Sequence, residues 1–284
     1  MNPPRLPLFD APSIETTARD AAAFSGLGNL APSGMAVNIA FIGNESFDER
    51  VAAVAGLHGA GFRPRPIISA RRLISPEVLR SYLTRSMEVG RVDGILLVGG
   101  DPATSAGPFT DSLQVIEGGY LDGLGLQSVG IAGYPEGHPK IADEVLWHYL
   151  KRKTNALASR GFKLEITTQL SFDVQAVMNW IRQVRDNGID TPIRIGIPAP
   201  ATMAGILNFA RQCRVGTSAQ LLKHYGWQLT SLMSPQGPDR FLDTLIERME
   251  PTELQTLRLH LFPIGNPMHI LQWLERARRR HQER

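Results

Sequence analysis

Tyr134, Glu136 and His138 lie within one short stretch, Gly133-Tyr-Pro-Glu-Gly-His-Pro139. An aromatic ring, a carboxyl and an imidazole this close together can stack on a planar ligand, accept hydrogen bonds and move a proton. The plain alternative is a proline-stiffened turn with a surface histidine. Three other polar residues stand where short apolar runs end or turn polar. Glu15 interrupts Ser13-Ile-Glu-Thr-Thr17, Asp101 follows the pair Gly99-Gly100, and Gln169 follows Thr167-Thr168. A carboxyl facing a protein interior is expensive to ionise, so an inward Glu15 should have a raised pKa and could act as a general acid. An outward Glu15 would simply be solvated. The glycines before Asp101 would let a planar ligand approach, or would form a tight turn in which the aspartate caps the next helix. Gln169 can donate and accept at once, which suits a heterocycle, and equally suits a polar network among loops.

The elements that must position these residues alternate. Strand-like runs occur at 13–17, 36–42, 66–69, 94–98, 129–132, 164–168, 193–197 and 257–262. Helical patterns fall at 47–59, 76–89, 140–153, 174–187, 202–213, 219–225, 238–249 and 267–279. Ser75 and Pro76 form an N-cap followed by proline at the first helical position, and Pro139 suits the same place before the next helix. Ile141, Val145 and Tyr149 carry the four-residue spacing of a buried stripe. Strands alternating with helices imply a parallel sheet. Eight such strands predict an α/β fold, a closed (β/α)8 TIM barrel read as one domain over residues 1–284. An open doubly wound sheet is the alternative, but no Gly-x-Gly-x-x-Gly follows the first strand. In a barrel, ligands bind where the carboxyl ends of the strands meet, which is where Asp101, Tyr134, His138 and Gln169 would gather.

Composition narrows the classes. The 284 residues are 43% hydrophobic and 20% charged, with a net charge of +3. That charge is too slight to argue for nucleic acid. The basic run Arg276-Ala-Arg-Arg-Arg280 reads as a solvated helix end. Cys213 is the single cysteine, so no intrachain disulfide can form, and it reads as a core residue. No apolar stretch is long enough to span a membrane and no secretion signal is visible, so a cytoplasmic protein is expected. His58, His148, His224, His260 and His269 show no metal-ligand spacing and read as structural or surface groups; no metal is expected.

These landmarks, in order, resemble the 5,10-methylenetetrahydrofolate reductases. Ser13-Ile-Glu15 is similar to the family's Ser-Phe-Glu, and Gly100-Asp-Pro102 stands in the place of its Arg-Gly-Asp. The stretch 133–139 is close to Ala-Tyr-Pro-Glu-x-His-Pro. Thr168-Gln169 with Phe172-Asp173 is like Thr-Gln-Phe-Phe-Phe-Asp, and Ile195-Gly-Ile-Pro198 is like Pro-Gly-Ile-x-Pro. The resemblance implies the same barrel and a hydride relay from NADH or NADPH through FAD to a folate substrate, within one-carbon metabolism and methionine biosynthesis. It implies that Glu15 protonates the pterin nitrogen and opens the five-membered ring to an iminium ion. Asp101 would stabilise the developing positive charge, Gln169 would bond the folate, and Phe209 would stack on its aminobenzoate ring. Gly100, Tyr134, His138, Arg152 and Lys153 would hold the cofactor.

The flavin half departs from the family pattern. The arginine before Gly-Asp is Gly99 here, the strand-three histidine is Ile67, and Leu146 and Tyr149 fall nearest the positions of an aspartate and an asparagine. Two readings therefore stand side by side: a divergent reductase, with flavin or with nicotinamide reducing the folate directly, and a tetrahydrofolate-binding accessory or methyl-transfer protein without reductase activity. A homo-oligomer is left open.

Overall fold

A computed structural model describes residues 6–43, 45–200 and 238–282. Eight parallel strands close on themselves in the order β1 to β8. They are β1 (Ser13–Thr17), β2 (Ala36–Ala40), β3 (Arg63–Ser69), β4 (Gly94–Val98), β5 (Ser128–Gly133), β6 (Lys163–Thr168), β7 (Ile193–Pro198) and β8 (Leu257–Phe262). Closure is made by β1 on β8, with Ser13 beside His260 and Ile14 beside Leu261. The expected (β/α)8 barrel is therefore the observed one, with strand ends shifted by a residue or two and β3 beginning three residues earlier.

The two faces of the strands differ. Ile14, Val37, Ile95, Ile131, Ile195 and Leu259 point outward into the continuous core beneath the helices. Their neighbours point into the lumen, where polar groups concentrate. At the amino-terminal end of the lumen, Glu165 bonds the guanidinium of Arg65 and, at 2.8 Å, Arg194. Arg65 also donates to the Ile95 carbonyl at 3.0 Å and Arg194 to the Ala11 carbonyl at 2.6 Å, which closes the floor against the N-terminal segment. Burial alone would raise the Glu165 pKa; the two arginine charges and their hydrogen bonds outweigh it and hold the carboxyl down to about 2.

The helices begin where local chemistry lets them. α1 (Phe47–Gly59) starts with a reciprocal cap between Ser46 and Glu49, and α2 (Pro76–Gly90) starts on Ser75, whose hydroxyl accepts from the Val78 amide. α3 (Ser112–Glu117) has no counterpart in the sequence reading; Asp111 caps it by accepting from the Leu113 and Gln114 amides. α4 (Asp143–Ser159) begins four residues beyond Pro139, which is a correction to the expected helix start. The chain first makes a bridge between His138 and Ile141, and that turn delays the helix. α5 (Val174–Asp186) starts on Asp173, which accepts from the Gln175 and Ala176 amides. The last helix runs from Pro267 to Gln282. The expected helices at 202–213 and 219–225, with Phe209 and Cys213, lie outside the described residues.

Candidate functional site

Because all strands run the same way, their carboxyl ends share one mouth. Asp101 follows β4, Tyr134 to His138 follow β5, and Gln169 follows β6. Glu15, third of five residues in β1, lies just inside that mouth.

Glu15 points inward. Its Oε2 stands 3.5 Å from Nε2 of His260, a side chain with 0% exposure, while the Glu15 side chain is 24% exposed. On the far side of the ring, Nδ1 of His260 is 2.8 Å from the Ser13 hydroxyl. The Phe262 ring packs edge-on against the imidazole at 4.8 Å. Serine, histidine and glutamate therefore form a line inside the barrel, with the carboxyl at the open end. Among the described residues Nε2 of His260 makes no hydrogen bond, so the buried imidazole leaves one ring nitrogen facing the Glu15 carboxyl. Asn38 is the register partner of Glu15 on β2 and is also wholly buried. Among the described residues, neither end of its amide has a partner.

Of the two sequence expectations for His260, a structural or a surface group, the buried position fits the first, and it lies beside Glu15. The alternation Leu257-Arg-Leu-His-Leu-Phe262 puts Arg258, His260 and Phe262 on one face. The alternation alone does not say which face is the lumen.

The β5 loop is organised by its own residues. The Tyr134 ring packs edge-on against His138 at 5.5 Å. Burial raises the Tyr134 pKa, opposed by a hydrogen bond with the Gln169 side chain. Gln169 is also tied to this loop through its amide, which donates to the Gly133 carbonyl at 2.9 Å. Nδ1 of His138 accepts from the Lys140 amide at 3.2 Å, and burial together with the Lys140 charge lowers its pKa. Glu136 reaches a neighbouring loop. Oε1 accepts from the Phe172 amide at 2.8 Å and the Asp173 amide at 3.2 Å, and so latches the β5 loop to the cap of α5. Glu136→Ala is expected to cost about 1–2 kcal/mol in urea unfolding, the loss of charge-assisted bonds from one half-buried carboxylate.

The other expected positions are distributed differently. Asp101 is exposed and bonds Arg72 through Oδ1 at 2.7 Å. Gly100 has φ of 96°, and a Cβ there would collide with the Ser69 hydroxyl, so the position requires glycine. Arg152 and Lys153 lie on α4 and direct their charge at α3. Arg152 bonds Glu117. Lys153 is buried, which pushes its pKa down to about 8 against the opposing charge of Asp111. Among the described residues, no group of three histidine, cysteine, aspartate or glutamate side chains could hold a metal ion. Nor is any helix there long and apolar enough to cross a membrane.

Comparison with known proteins adds an independent line. The profile of the methylenetetrahydrofolate reductase family matches residues 113–227. Methylenetetrahydrofolate reductase 2 of Saccharomyces cerevisiae is 35% identical over 130 residues, covering 41% of this chain and 20% of that protein. Methylenetetrahydrofolate reductase (NADH) 1 of Arabidopsis thaliana is 28% identical over 151 residues, covering 46% and 24%. The alignments thus span a quarter or less of these relatives. In fold, the chain is similar to a solved protein from Clostridium thermocellum described as binding two copies of 5-methyl-5,6,7,8-tetrahydrofolic acid. The TM-score is 0.61 at 13% identity, over 95% of each chain.

Proposed function

We propose that the chain is a member of the methylenetetrahydrofolate reductase family and that its barrel is a catalytic domain reducing 5,10-methylenetetrahydrofolate to 5-methyltetrahydrofolate, with NADH or NADPH as hydride donor. The observation that carries the proposal is the inward Glu15, open to the mouth and backed by the buried His260–Ser13 pair. Glu15 gives its proton to the nitrogen that leaves when the five-membered ring opens, and that nitrogen keeps the electron pair of the broken carbon–nitrogen bond. The neighbouring ring nitrogen completes an iminium ion with the methylene carbon. Hydride from the nicotinamide then converts that carbon to a methyl group, and the nicotinamide leaves oxidised. His260 holds the carboxyl in line from below, where water has little access. Asp101 places negative charge at the mouth as the iminium forms, and Gln169, anchored to the Tyr134 loop, bonds the pterin. Phe209 keeps its proposed stacking role from the sequence.

The family's flavin does not fit the described residues. A dinucleotide diphosphate needs cations or free backbone amides. Here Arg152 is paired with Glu117, Arg72 with Asp101, and Arg71 with loop carbonyls. Lys153 is buried against α3, and Nδ1 of His138 already accepts from the Lys140 amide. Gly99 carries no charge where the family has an arginine. No step is therefore routed through FAD. The purified protein is expected to be colourless between about 350 and 500 nm, because a bound flavin would absorb there. Apart from its two chain neighbours, no described residue has an atom within 4 Å of where a Cβ at Gly99 would stand. Gly99→Arg should consequently fold normally and raise FAD affinity in a fluorescence titration; a yellow native protein would contradict this part of the account.

The proposal is tested by following anaerobic NADH and NADPH oxidation with methylenetetrahydrofolate, and by identifying methyltetrahydrofolate as product. Absence of turnover with both donors, with or without added FAD, would sink it. Tetrahydrofolate binding without turnover would instead favour the accessory-protein reading.

A further inference from the structure

The short helical turn Ala70–Arg72 after β3 supplies two arginines to the barrel mouth. Arg71 organises the loop that carries Asp101. Its Nε donates to the Pro102 carbonyl at 2.7 Å, Nη1 to the Thr110 carbonyl at 3.3 Å, and Nη2 to the Ala103 carbonyl. Its own amide donates to the Gly99 carbonyl at 2.9 Å. The loop is thus tied to the β3 turn on both sides of Asp101.

Arg72 holds the carboxylate itself. Its side chain is 17% exposed, whereas that of Asp101 is 61% exposed. The guanidinium lies 5.7 Å from the centre of the Phe41 ring. It also lies against Gly43, whose φ of 106° and missing Cβ leave room for Nη1. Arg72 Nε is buried with no partner among the described residues. The cation is therefore caged by β2 and β3 loop residues and presents one edge to Asp101. An ion pair with so exposed a partner adds little stability. Its effect is on geometry, because a loop carboxylate that must search for its place loses the advantage of being preorganised.

We propose that Arg72 is a positioning residue for Asp101, fixing its carboxylate at the barrel mouth before substrate arrives. The role rests on the reading of Asp101 as the carboxylate beside the folate.

The test is a double-mutant cycle of wild type, Arg72→Gln, Asp101→Asn and the double variant, read on kcat, on KM for methylenetetrahydrofolate and on tetrahydrofolate affinity by calorimetry, with melting temperatures as control. The affinity arm gives an answer whether or not hydride is transferred. Arg72→Gln is expected to lower kcat about tenfold with an unchanged melting temperature, and to have no further effect once Asp101 is asparagine. Arg72→Lys, whose ammonium can still reach the carboxylate, should recover part of the loss. Gly43→Ala, which displaces Nη1, should reproduce Arg72→Gln. Full additivity of the two losses, or Arg72→Gln matching wild type while Asp101→Asn is impaired, would overturn the proposal. An Asp101→Asn variant equal to wild type in every readout would instead overturn the reading of Asp101, and the proposal with it.

Discussion

Glu15→Gln is expected to lower turnover about a thousandfold, the middle of the range that a positioned general acid contributes, while tetrahydrofolate binding changes little. The amide keeps the size of the carboxyl and can still meet His260, so the lumen is not reshaped. It cannot give up a proton to the leaving nitrogen, so ring opening stalls. The split between lost turnover and kept affinity is the informative part. A general collapse of the site would weaken both, whereas loss of the acid alone affects only the step that needs the proton. Ser13→Ala should give a smaller loss of the same kind, since it frees the far side of the His260 ring and lets it turn.

The second large effect is on stability. Glu165→Gln removes the charge between Arg65 and Arg194, whose side chains are only 4% and 12% exposed. Two guanidinium groups would then face each other across the floor of the barrel. Breaking a buried ion network by deleting one partner costs about 3–5 kcal/mol, measurable by urea unfolding at neutral pH. The wild-type group also sets a pH window. The folded pKa of Glu165 is about 2 and lies below that of an unfolded glutamate. Its contribution to stability is therefore present above the unfolded value, near 4.3, and is lost as pH falls toward the folded value. Stability measured from pH 5 down to pH 2 should converge between wild type and Glu165→Gln; curves that stay parallel would show that the floor is held by something else.

The strands were legible because each is a short β-branched run bounded by turn residues, and eight of them in alternation with helices leave few alternatives to a barrel. The start of α4 was not legible. Pro139 is well suited to a first helical position, but the turn from His138 to Ile141 intervenes, and tertiary contacts of the β5 loop override local preference. α3 is only six residues long, too short for a helical period to show. At the site, residue types singled out Glu15, Tyr134 and Gln169 as candidates, and the closed parallel barrel puts the ends of their strands at one mouth. Glu136 belongs to the same signature, yet its bonded oxygen serves a latch between two loops. What could not be read were pairings across the chain. His260 meets Ser13 across 247 positions, and Arg72 meets Asp101 across 29. Both arise from strand adjacency, which a sequence pattern implies only after the register is known.

Hydride is expected to pass from nicotinamide to the folate without a flavin between them. The most direct test of this transfer uses NADH or NADPH carrying deuterium at the transferable C4 position, with product methyltetrahydrofolate analysed by mass spectrometry. One deuterium is expected in the methyl group of each product molecule, with no FAD added. Loss of the label to water, or turnover only after FAD is supplied, would contradict it.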